Sequence, residues 1–445
     1  MLSFLQTFGS FVLVLGILVF IHELGHFLVA KMLGIGVRVF SIGFGPRLLG
    51  FRRGETDYRV AAVPLGGFVR LAGDESDERR TGSSDEFLTR SRWQRFLVYV
   101  AGAVFNIILA LLLTWAVLWA YGEPVPGERP VVVAVYPGSG AETAGVLPGD
   151  RILEIEGRDA IDPQVEFEEI LMSPDTSRSI LIDRNGEQET LQVMTGADER
   201  FHMGFPGWEL RTSGSGEPVR IGSVVEGAPA DLAGLAPGDM IVGAGEQMPI
   251  GEVALRALLS LNPGQPVDLE IERDGKRFPV TVTPLDEEGK GKIGVTLYTL
   301  IPKQRMGAGA AASAAVRVNI ERSSTLFFVL KKLFSGQLSI RAFSGPLEIA
   351  QFSRFAVRSG LETFLTFLAF ISLQLGILNL LPIPILDGGH ILILGVESIM
   401  GRDLSEQVKE RAMQAGMVLL LTFFGAVLTF DIIKTRLLDV LKSLF

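Results

Sequence analysis

The sequence predicts a polytopic α-helical membrane protein with four transmembrane helices, a membrane-associated β-hairpin or sheet, and two β-rich domains inserted between the second and third spans. Three observations support this fold class. Hydrophobic residues make up 48% of the 445 residues and charged residues only 20%, against about 25% in soluble domains. Four apolar runs are long enough to cross a bilayer. One segment of the polar insert occurs twice.

The apolar runs and the segments between them divide the chain. The predicted spans lie within residues 1–33, 96–121, 361–394 and 412–433. A cleavable signal peptide is the alternative interpretation of the first run. No Lys or Arg precedes that run, however, and no A-x-A-like cleavage site closes it. We therefore expect the first run to remain as a transmembrane helix.

The loop between the first two spans, residues 34–95, is rich in arginine and is therefore expected in the cytoplasm. Alternation then places the insert outside, the loop 395–411 inside and the tail 434–445 outside. Within the first loop, Val37 to Ala72 alternates in places between apolar and polar residues with glycines between, which predicts a curved hairpin or sheet close to the membrane. The linker 301–360 contains an Ala-rich stretch, Ala308 to Phe334, which is typical of an amphipathic helix.

The charge and the residue usage exclude several functions. A net charge of -9 gives no basic field for a phosphate backbone, so we expect no nucleic-acid partner. The chain has no cysteine, so any metal must be held by imidazole or carboxylate. It has four histidines, and two of them, His22 and His26, are four residues apart.

The repeated segment predicts two copies of one module, at 126–200 and 203–300. AETAGVLPGDRILEIEG and ADLAGLAPGDMIVGAGE align at a constant offset of about 89 residues. In each copy a short Ala-rich helix stops at a glycine, a Pro-Gly-Asp turn follows, and a strand begins. Asn185-Gly186 and Asp274-Gly275 predict a β-hairpin later in each copy.

This pattern resembles the PDZ domain in its bacterial form, in which A-x-x-A-G-L-x-P-G-D precedes a pair of strands. The resemblance implies that peptides bind by adding a strand to a sheet edge, with peptide C-termini held in a glycine-containing loop. Met203-Gly204-Phe205 and Ile293-Gly294-Val295 are the candidate loops. A repeat of this kind can equally act as a spacer or a size-excluding lid.

The motif HELGH lies in the first apolar run. On a helix, His22 and His26 project from one face, where both imidazoles can bind one metal ion, and zinc suits them. Glu23 lies beside that pair, so its carboxylate is placed to take a proton from water as a base, not to act as a ligand. The alternative is that the histidines hydrogen-bond to neighbouring spans. Three polar groups within five residues of an apolar helix need compensation, which favours the metal site.

A catalytic zinc site needs a third protein ligand with one position left open. The segment NLLPIPILDGGH ends the third span, and its prolines and glycines break the helix at a depth where only protein-covered backbone is tolerated. Asp387 in this segment offers a hard oxygen ligand. His390 competes for the role, and otherwise lies outside the ligand set or begins a helix.

These motifs together resemble the site-2 protease family of intramembrane zinc metalloproteases, most closely its bacterial envelope-stress branch with tandem PDZ domains. The resemblance covers nearly the whole chain and includes GAVFN in the second span. It implies that His22, His26 and Asp387 bind Zn²⁺ and that Glu23 is the catalytic base. It also implies that Asn106 and Asn379 bind the unwound substrate, although each could instead hydrogen-bond between helices.

The same resemblance implies a multi-pass protein of the bacterial inner membrane with periplasmic PDZ domains. Its expected substrates are single-span membrane proteins, namely an anti-sigma factor and remnant signal peptides. A free edge of the cytoplasmic sheet could pair with a substrate strand, or the sheet could simply cover the site. Two other functions fit parts of the sequence: a zinc transporter or sensor, which needs no base at Glu23, and a membrane-anchored PDZ scaffold with an inert core.

Overall fold

A computed structural model describes most of the chain and divides it into two compact units. The described residues are 2–73, 82–125, 129–161, 163–197, 203–211, 219–225, 227–245, 252–287, 290–299 and 303–434. The helical unit comprises Met1–Gly122, Arg305–Phe328 and Phe343–Phe445, and the β-rich unit comprises Glu123–Gln304 and Val329–Ala342. The predicted tail from residue 435 onward lies outside the described residues.

Two apolar helices begin the helical unit, and a pair of long strands connects them. They are α1 (Leu2–Met32), β1 (Val37–Arg53), β2 (Thr56–Leu71) and α2 (Arg92–Tyr121). Helix α2 begins four residues before the predicted start, because Ser91 and Gln94 form a capping box that satisfies backbone N–H groups at its first turn. The two helices pack against each other.

The predicted hairpin is present, and its bent strands make a four-segment antiparallel sheet. Residues 39–42 of β1 pair with residues 67–70 of β2 on one side and with residues 57–60 on the other. Residues 57–60 also pair with residues 49–52, the distal part of β1. The sheet therefore has one edge in the distal part of β1 and the other edge in residues 67–70.

The first β-rich module contains one sheet with short helices. Its elements are β3 (Glu123–Pro124), β4 (Val131–Val135), α3 (Gly140–Thr143), β5 (Arg151–Ile155), β6 (Arg158–Asp159), α4 (Pro163–Glu166), β7 (Thr176–Arg184), β8 (Glu187–Ala197), β9 (Gly204–Phe205) and β10 (Trp208–Arg211), with a π-helix at Phe167–Leu171. The strand order is β10-β4-β5-β7-β8-β9, and β6 pairs with β5. Strand β3 lies outside this sheet.

The predicted boundary between the two modules, at residues 200 to 203, is wrong. The chain returns to the first sheet after that point, where β9 pairs with β8 and β10 pairs with β4. Trp208 and Leu210 are buried in the core of the first module. The first module therefore extends to Arg211, because these apolar side chains complete its core, and the candidate loop Met203-Gly204-Phe205 belongs to it.

The second module has a five-stranded sheet of the same kind. Its elements are β11 (Val219–Val224), α5 (Pro229–Leu232), β12 (Met240–Ala244), α6 (Glu252–Leu261), β13 (Val267–Arg273), β14 (Lys276–Val282), β15 (Leu285–Glu287), β16 (Lys290–Lys292), β17 (Val295–Thr299) and β18 (Lys303–Gln304). The strand order is β14-β13-β12-β11-β17, while β15 pairs with β16 and β18 pairs with β3. Helix α6 also contacts β4 and β10 of the first module.

Both predicted hairpin turns are present. In each, the two central residues have positive φ: 57° and 92° at Asn185 and Gly186, and 52° and 74° at Asp274 and Gly275. Asn, Asp and Gly tolerate this conformation, which matches the twist of the flanking strands. The two turns thus fix the register of β7 with β8 and of β13 with β14.

The Pro-Gly-Asp turn carries a buried carboxylate in each module. Asp150 accepts hydrogen bonds from Nε and Nη2 of Arg184, both at 2.7 Å, and from the backbone N–H of Leu147 at 2.8 Å. Asp239 accepts the equivalent bonds from Arg273, at 2.6 and 2.7 Å, and from the backbone N–H of Ala236 at 2.8 Å. Each arginine connects the turn to the end of the strand that precedes the hairpin.

The remaining helices are α7 (Ala308–Phe334), α8 (Pro346–Arg358), α9 (Leu361–Asn379), α10 (Asp387–Met400) and α11 (Glu406–Lys434). Helix α7 has the predicted bounds, but the linker predicted at 301–360 also contains a second, shorter helix, α8. The predicted third span, 361–394, is two helices interrupted at residues 380–386. The loop predicted at 395–411 is shorter, because α10 continues to Met400 and α11 begins at Glu406.

Four of the helices in the described part of the chain are long and apolar enough to cross a membrane: Leu5–Met32, Arg92–Tyr121, Leu361–Asn379 and Glu406–Ile433. Their apolar surfaces pack together in part. Val14 and Leu18 of α1 and Leu368 of α9 form one buried cluster. Helix α2 contacts α1, α9 and α10, and is therefore the central helix of the site described next.

Candidate metal centre

Helix α1 presents two functional faces. At 100° per residue, His22 and His26 lie about 40° apart on one face, and Glu23 lies about 60–100° away from them. Phe20 and Phe27 share the side of Glu23, because residues three and four apart are neighbours on a helix. The sequence thus separates the two imidazoles from the carboxylate while keeping all three within one turn.

The glutamate face packs on the β1–β2 sheet. Phe27 makes edge contacts with Phe40 and Tyr58, at centroid distances of 5.3 and 5.8 Å. Gly67 lies so close that a Cβ added there would be 3.0 Å from Cγ of Glu23. The Glu23 carboxylate also faces the backbone of Val69. The edge segment 67–70 therefore borders the carboxylate.

The histidine face packs on α2. A Cβ added at Gly102 would lie 2.3 Å from Nε2 of His26 and 2.8 Å from Nε2 of His22. The Nδ1 atom of His26 lies 2.7 Å from the carbonyl oxygen of Val98. Since a carbonyl only accepts, the proton of a neutral His26 ring is assigned to Nδ1, and Nε2 carries a lone pair. Glycine at 102 leaves the space that both imidazoles occupy.

Asp387 reaches the same place from the broken third helix. The predicted irregular segment ends one residue before it, because Asp387 is the first residue of α10. Ile385 has φ of 91°, a strained conformation for a β-branched residue. Added Cβ atoms at Gly388 and Gly389 would meet backbone oxygens at 2.2 and 2.4 Å. Only glycine fits this turn, which directs Asp387 toward the histidines.

The structure brings His22, His26 and Asp387 together. The Nε2 atoms of the two histidines are 3.3 Å apart. The carboxylate oxygens of Asp387 lie 3.3 Å from Nε2 of His22 and 3.5 Å from Nε2 of His26. One ligand atom from each of these residues lies within 4.8 Å of the others. Within the described chain, these three form the metal-binding group that the geometry allows.

Three other residues predicted for the site, His390, Asn106 and Asn379, lie next to the ligand group. His390 is in the first turn of α10 and stacks on Tyr99, with ring centroids 4.8 Å apart, and is outside the ligand group. The side-chain amide nitrogens of Asn106 and Asn379 lie 3.4 and 3.5 Å from Nδ1 of His22. Both asparagines therefore contact the outer nitrogen of a ligand candidate.

Comparisons with known proteins identify the family of this chain. The model of peptidase family M50 matches residues 10–423. The chain belongs to peptidase family M50. The regulator of sigma-E protease RseP of Escherichia coli is 34% identical over 468 residues, which cover 97% of this chain and 99% of that protein. The regulator of sigma E protease of Haemophilus influenzae is 32% identical, covering 95% and 97%.

A third relative, from Pasteurella multocida, is named as a zinc metalloprotease and is 32% identical, covering 97% of this chain and 100% of that protein. Among solved structures, the PDZ domain of an SdrC-like protein from Listeria monocytogenes is 19% identical and covers 20% of this chain and 93% of that domain, with a TM-score of 0.18. That score is too low to define the fold of either β-rich module.

This M50 member is a zinc metalloprotease of the site-2 type, and its cofactor is zinc. The residues present fit that ion. Tetrahedral zinc with bonds of about 2.0–2.1 Å has its ligand atoms about 3.3–3.4 Å apart. The two imidazole nitrogens have this separation, and each lies at a similar distance from one oxygen of Asp387. Oδ2 of Asp387 is buried and has no hydrogen-bond donor among the residues that the structure describes. Converging lone pairs of this kind need a cation between them.

Sequence reasoning missed three contributions to this M50 site: the carbonyl of Val98, the space at Gly102 and the contact of Glu23 with the sheet edge. A sequence signal existed for the second, since Gly102 and Asn106 are four residues apart and share one face of α2. Contacts of Val98 and Val69 come from the backbone, which any residue type supplies, so no side-chain pattern could reveal them.

Proposed function

We propose that this protein is an intramembrane endopeptidase that cuts single-span membrane proteins within or beside their transmembrane segment. In this proposal His22, His26 and Asp387 hold the zinc ion and Glu23 is the catalytic base. The observation that carries it is the convergence of three lone-pair atoms beside a carboxylate, with both histidines and Glu23 on a helix apolar enough to cross a bilayer.

The chain's own residues account for the proton transfers. Zinc, when bound, supplies Lewis acidity and makes water a better nucleophile at neutral pH. Glu23 takes the proton from the attacking water and returns it to the departing amine. The Val98 carbonyl keeps the His26 ring in the tautomer that leaves Nε2 available. Asn379, which is only partly buried, offers its amide to the substrate backbone.

The substrate must be extended at the cut, because a helix hides its peptide bonds. Within the described strands, the edge segment 67–70 of β2 borders Glu23 and its backbone pairs with β1. A substrate strand that adds to this edge would lie alongside the catalytic carboxylate. Helix-destabilising residues near the scissile bond would lower the free-energy cost of unwinding the substrate.

The expected substrates follow from the relatives, whose names connect them with regulation of sigma-E. We propose an anti-sigma factor as the principal substrate and remnant signal peptides as further substrates. The lipid bilayer is the other partner. The protein would be a multi-pass protein of the bacterial inner membrane with four spans, with the loop 34–95 in the cytoplasm and the β-rich unit in the periplasm.

The two β-rich modules are proposed to be PDZ domains that filter substrates on the periplasmic side. The duplicated sequence supports this role. So do the edge strands β10 and β17, since peptides bind PDZ domains by strand addition. Ile293-Gly294-Val295 immediately precedes and begins β17, and Met203-Gly204-Phe205 lies before β10. Peptide C-termini at these loops are the proposed ligands.

The test is cleavage of a single-span substrate by full-length protein reconstituted in vesicles. Glu23→Gln removes the base but keeps the shape, and should lower the cleavage rate by about 10²–10⁴-fold. Glu321→Gln is the matched control, because Glu321 is an exposed glutamate on α7. This variant should cleave the substrate at the wild-type rate. Cleavage by Glu23→Gln at the wild-type rate would exclude Glu23 as the base. The transporter interpretation predicts a different result, because a transporter would leave the substrate uncut in wild type as well as in Glu23→Gln.

A further inference from the structure

Asn106 and Asn379 look equivalent in the sequence, but their surroundings differ. Asn106 is 0% exposed, whereas Asn379 is partly exposed. The backbone carbonyl of Asn106 accepts a hydrogen bond from Ser372 at 2.8 Å. A Cβ added at Gly376 would lie 3.4 Å from Cβ of Asn106, so α9 packs tightly over this residue. Asn106 is therefore held rigidly between helices, with no room for a substrate.

The side chain of Asn106 has one polar neighbour that decides its orientation. One end of its amide lies 3.4 Å from Nδ1 of His22. The other end has no hydrogen-bond partner among the described residues. The oxygen and nitrogen of an amide are assigned from their contacts and not observed. The hydrogen-bonding state of His22 therefore determines which end of the amide faces the ring.

The ligand role of His22 fixes that state. Its Nε2 faces Asp387 and His26, so Nε2 must offer a lone pair if it binds a metal ion. A neutral imidazole carries one proton, which then resides on Nδ1 and needs an acceptor. The amide nitrogen of Asn106 cannot accept, but its oxygen can. Two other groups also face the His22 ring: the backbone carbonyl of Gly102, and the partly exposed amide of Asn379, which lies 3.5 Å from the same Nδ1.

We infer that Asn106 is a positioning residue for the metal ligand His22: its amide oxygen accepts the Nδ1 proton, and Asn379 is the asparagine left for the substrate. This rests on the proposed ligand set. Hydrogen-bond acceptors behind a ligating histidine fix its tautomer and ring orientation, and their loss typically weakens metal binding about 10–100-fold.

The test is the zinc affinity of full-length purified protein, measured by competition with a chromophoric chelator. Asn106→Ala should weaken zinc binding about 10–100-fold. Asn106→Asp keeps an acceptor and should bind zinc no more weakly than wild type, a rescue that a merely structural role would not give. Asn379→Ala should keep wild-type zinc affinity and raise KM for the substrate.

Two results would overturn the inference. If Asn106→Ala binds zinc like wild type, the Nδ1 proton goes to another acceptor, the Gly102 carbonyl or the Asn379 amide. If Asn106→Asp and Asn106→Ala lose zinc equally, the amide acts by packing. Thermal unfolding of each variant identifies loss of fold, and the Asp variant keeps the test decisive where the Ala variant is unstable. Failure of the ligand assignment looks different, because Asp387→Ala would then retain zinc.

Discussion

Two sites in this protein bury carboxylates in opposite ways. Asp150 and Asp239, in the β-rich unit, are 1% and 2% exposed, and each is surrounded by donors from an arginine and a backbone N–H. Asp387, in the helical unit, has a buried oxygen with no donor among the described residues and faces two imidazole nitrogens.

The difference separates a structural use of buried charge from a functional one. A buried carboxylate that is fully hydrogen-bonded needs nothing more and rigidifies its surroundings. A buried carboxylate that faces other acceptors is unfavourable until a bound cation compensates its charge. Changes at the two places should therefore have separable effects, on the zinc site in one unit and on the fold in the other.

The largest effect should come from filling the space at Gly102. In Gly102→Ala the added methyl group would overlap Nε2 of His26 and displace both imidazoles. We expect zinc affinity to fall at least about 10–100-fold, as for other changes that misorient a ligand, and cleavage to be lost. Zinc content and substrate cleavage measure this result.

Gly9→Ala is the matched control for that variant. Gly9 also lies on an apolar helix, but a Cβ there meets nothing within 4 Å. It should bind zinc like wild type and gain slightly in helix stability, by up to about 1 kcal/mol. Wild-type zinc affinity in Gly102→Ala would contradict the close packing of α2 on the imidazoles.

A change in the β-rich unit should do the reverse. Arg184→Leu removes two hydrogen bonds from buried Asp150 and should destabilise the first module by about 2–3 kcal/mol while zinc stays bound. Arg273→Leu should have a smaller effect on the second module, because Arg273 is 38% exposed against 29% for Arg184. Hydrogen exchange of β5 and β12 in the full chain measures both. Loss of zinc in either variant would show that zinc binding depends on the stability of the β-rich modules.

The smallest effect is that of pH on the β-rich unit. Burial alone would raise the pKa of Asp150, but the hydrogen bonds from Arg184 and Leu147 outweigh it and hold this pKa below its ordinary value. The pKa of Asp239 is lowered in the same way by Arg273 and Ala236. A depressed pKa adds stability that is complete above the unfolded value of about 3.9 and lost as pH falls through the folded-state value.

The midpoint temperature of thermal unfolding, followed by the β-sheet circular dichroism signal, should therefore be constant from about pH 8 to 5 and fall below about pH 4. Asp150→Asn should flatten the part of this dependence that belongs to the first module. If the unfolding midpoint instead rises as the pH falls below about 4, the pKa values of these carboxylates are raised by folding and not lowered.

The sequence predicts most of the site because its signals are local. The spacing within HELGH fixes the faces of α1, and the prolines and glycines around Asp387 require a break in the helix. Asn185-Gly186 likewise specifies a turn by the conformation it tolerates. In each case a few adjacent residue types determine the outcome.

The features that the sequence does not predict depend on contacts between residues far apart in the chain. Strands β9 and β10 return to the first sheet through contacts that no neighbouring residue encodes, although the offset of about 89 residues would map Val295–Thr299 onto residues 206–210. Helix α8 is short and has no long apolar run, so no sequence signal distinguished it from the rest of the linker. The φ of Ile385 is imposed by its surroundings and cannot be read from an isoleucine.

Side chains of α1 and α10 are proposed to hold one zinc ion. The most direct test is the zinc content of the purified full-length protein with Asp387 changed to alanine. Wild type and Glu23→Gln should each retain a single zinc ion, and Asp387→Ala should retain none after dialysis against a weak chelator, because two imidazoles alone hold zinc poorly. Full zinc occupancy in Asp387→Ala would show that Asp387 is not a zinc ligand.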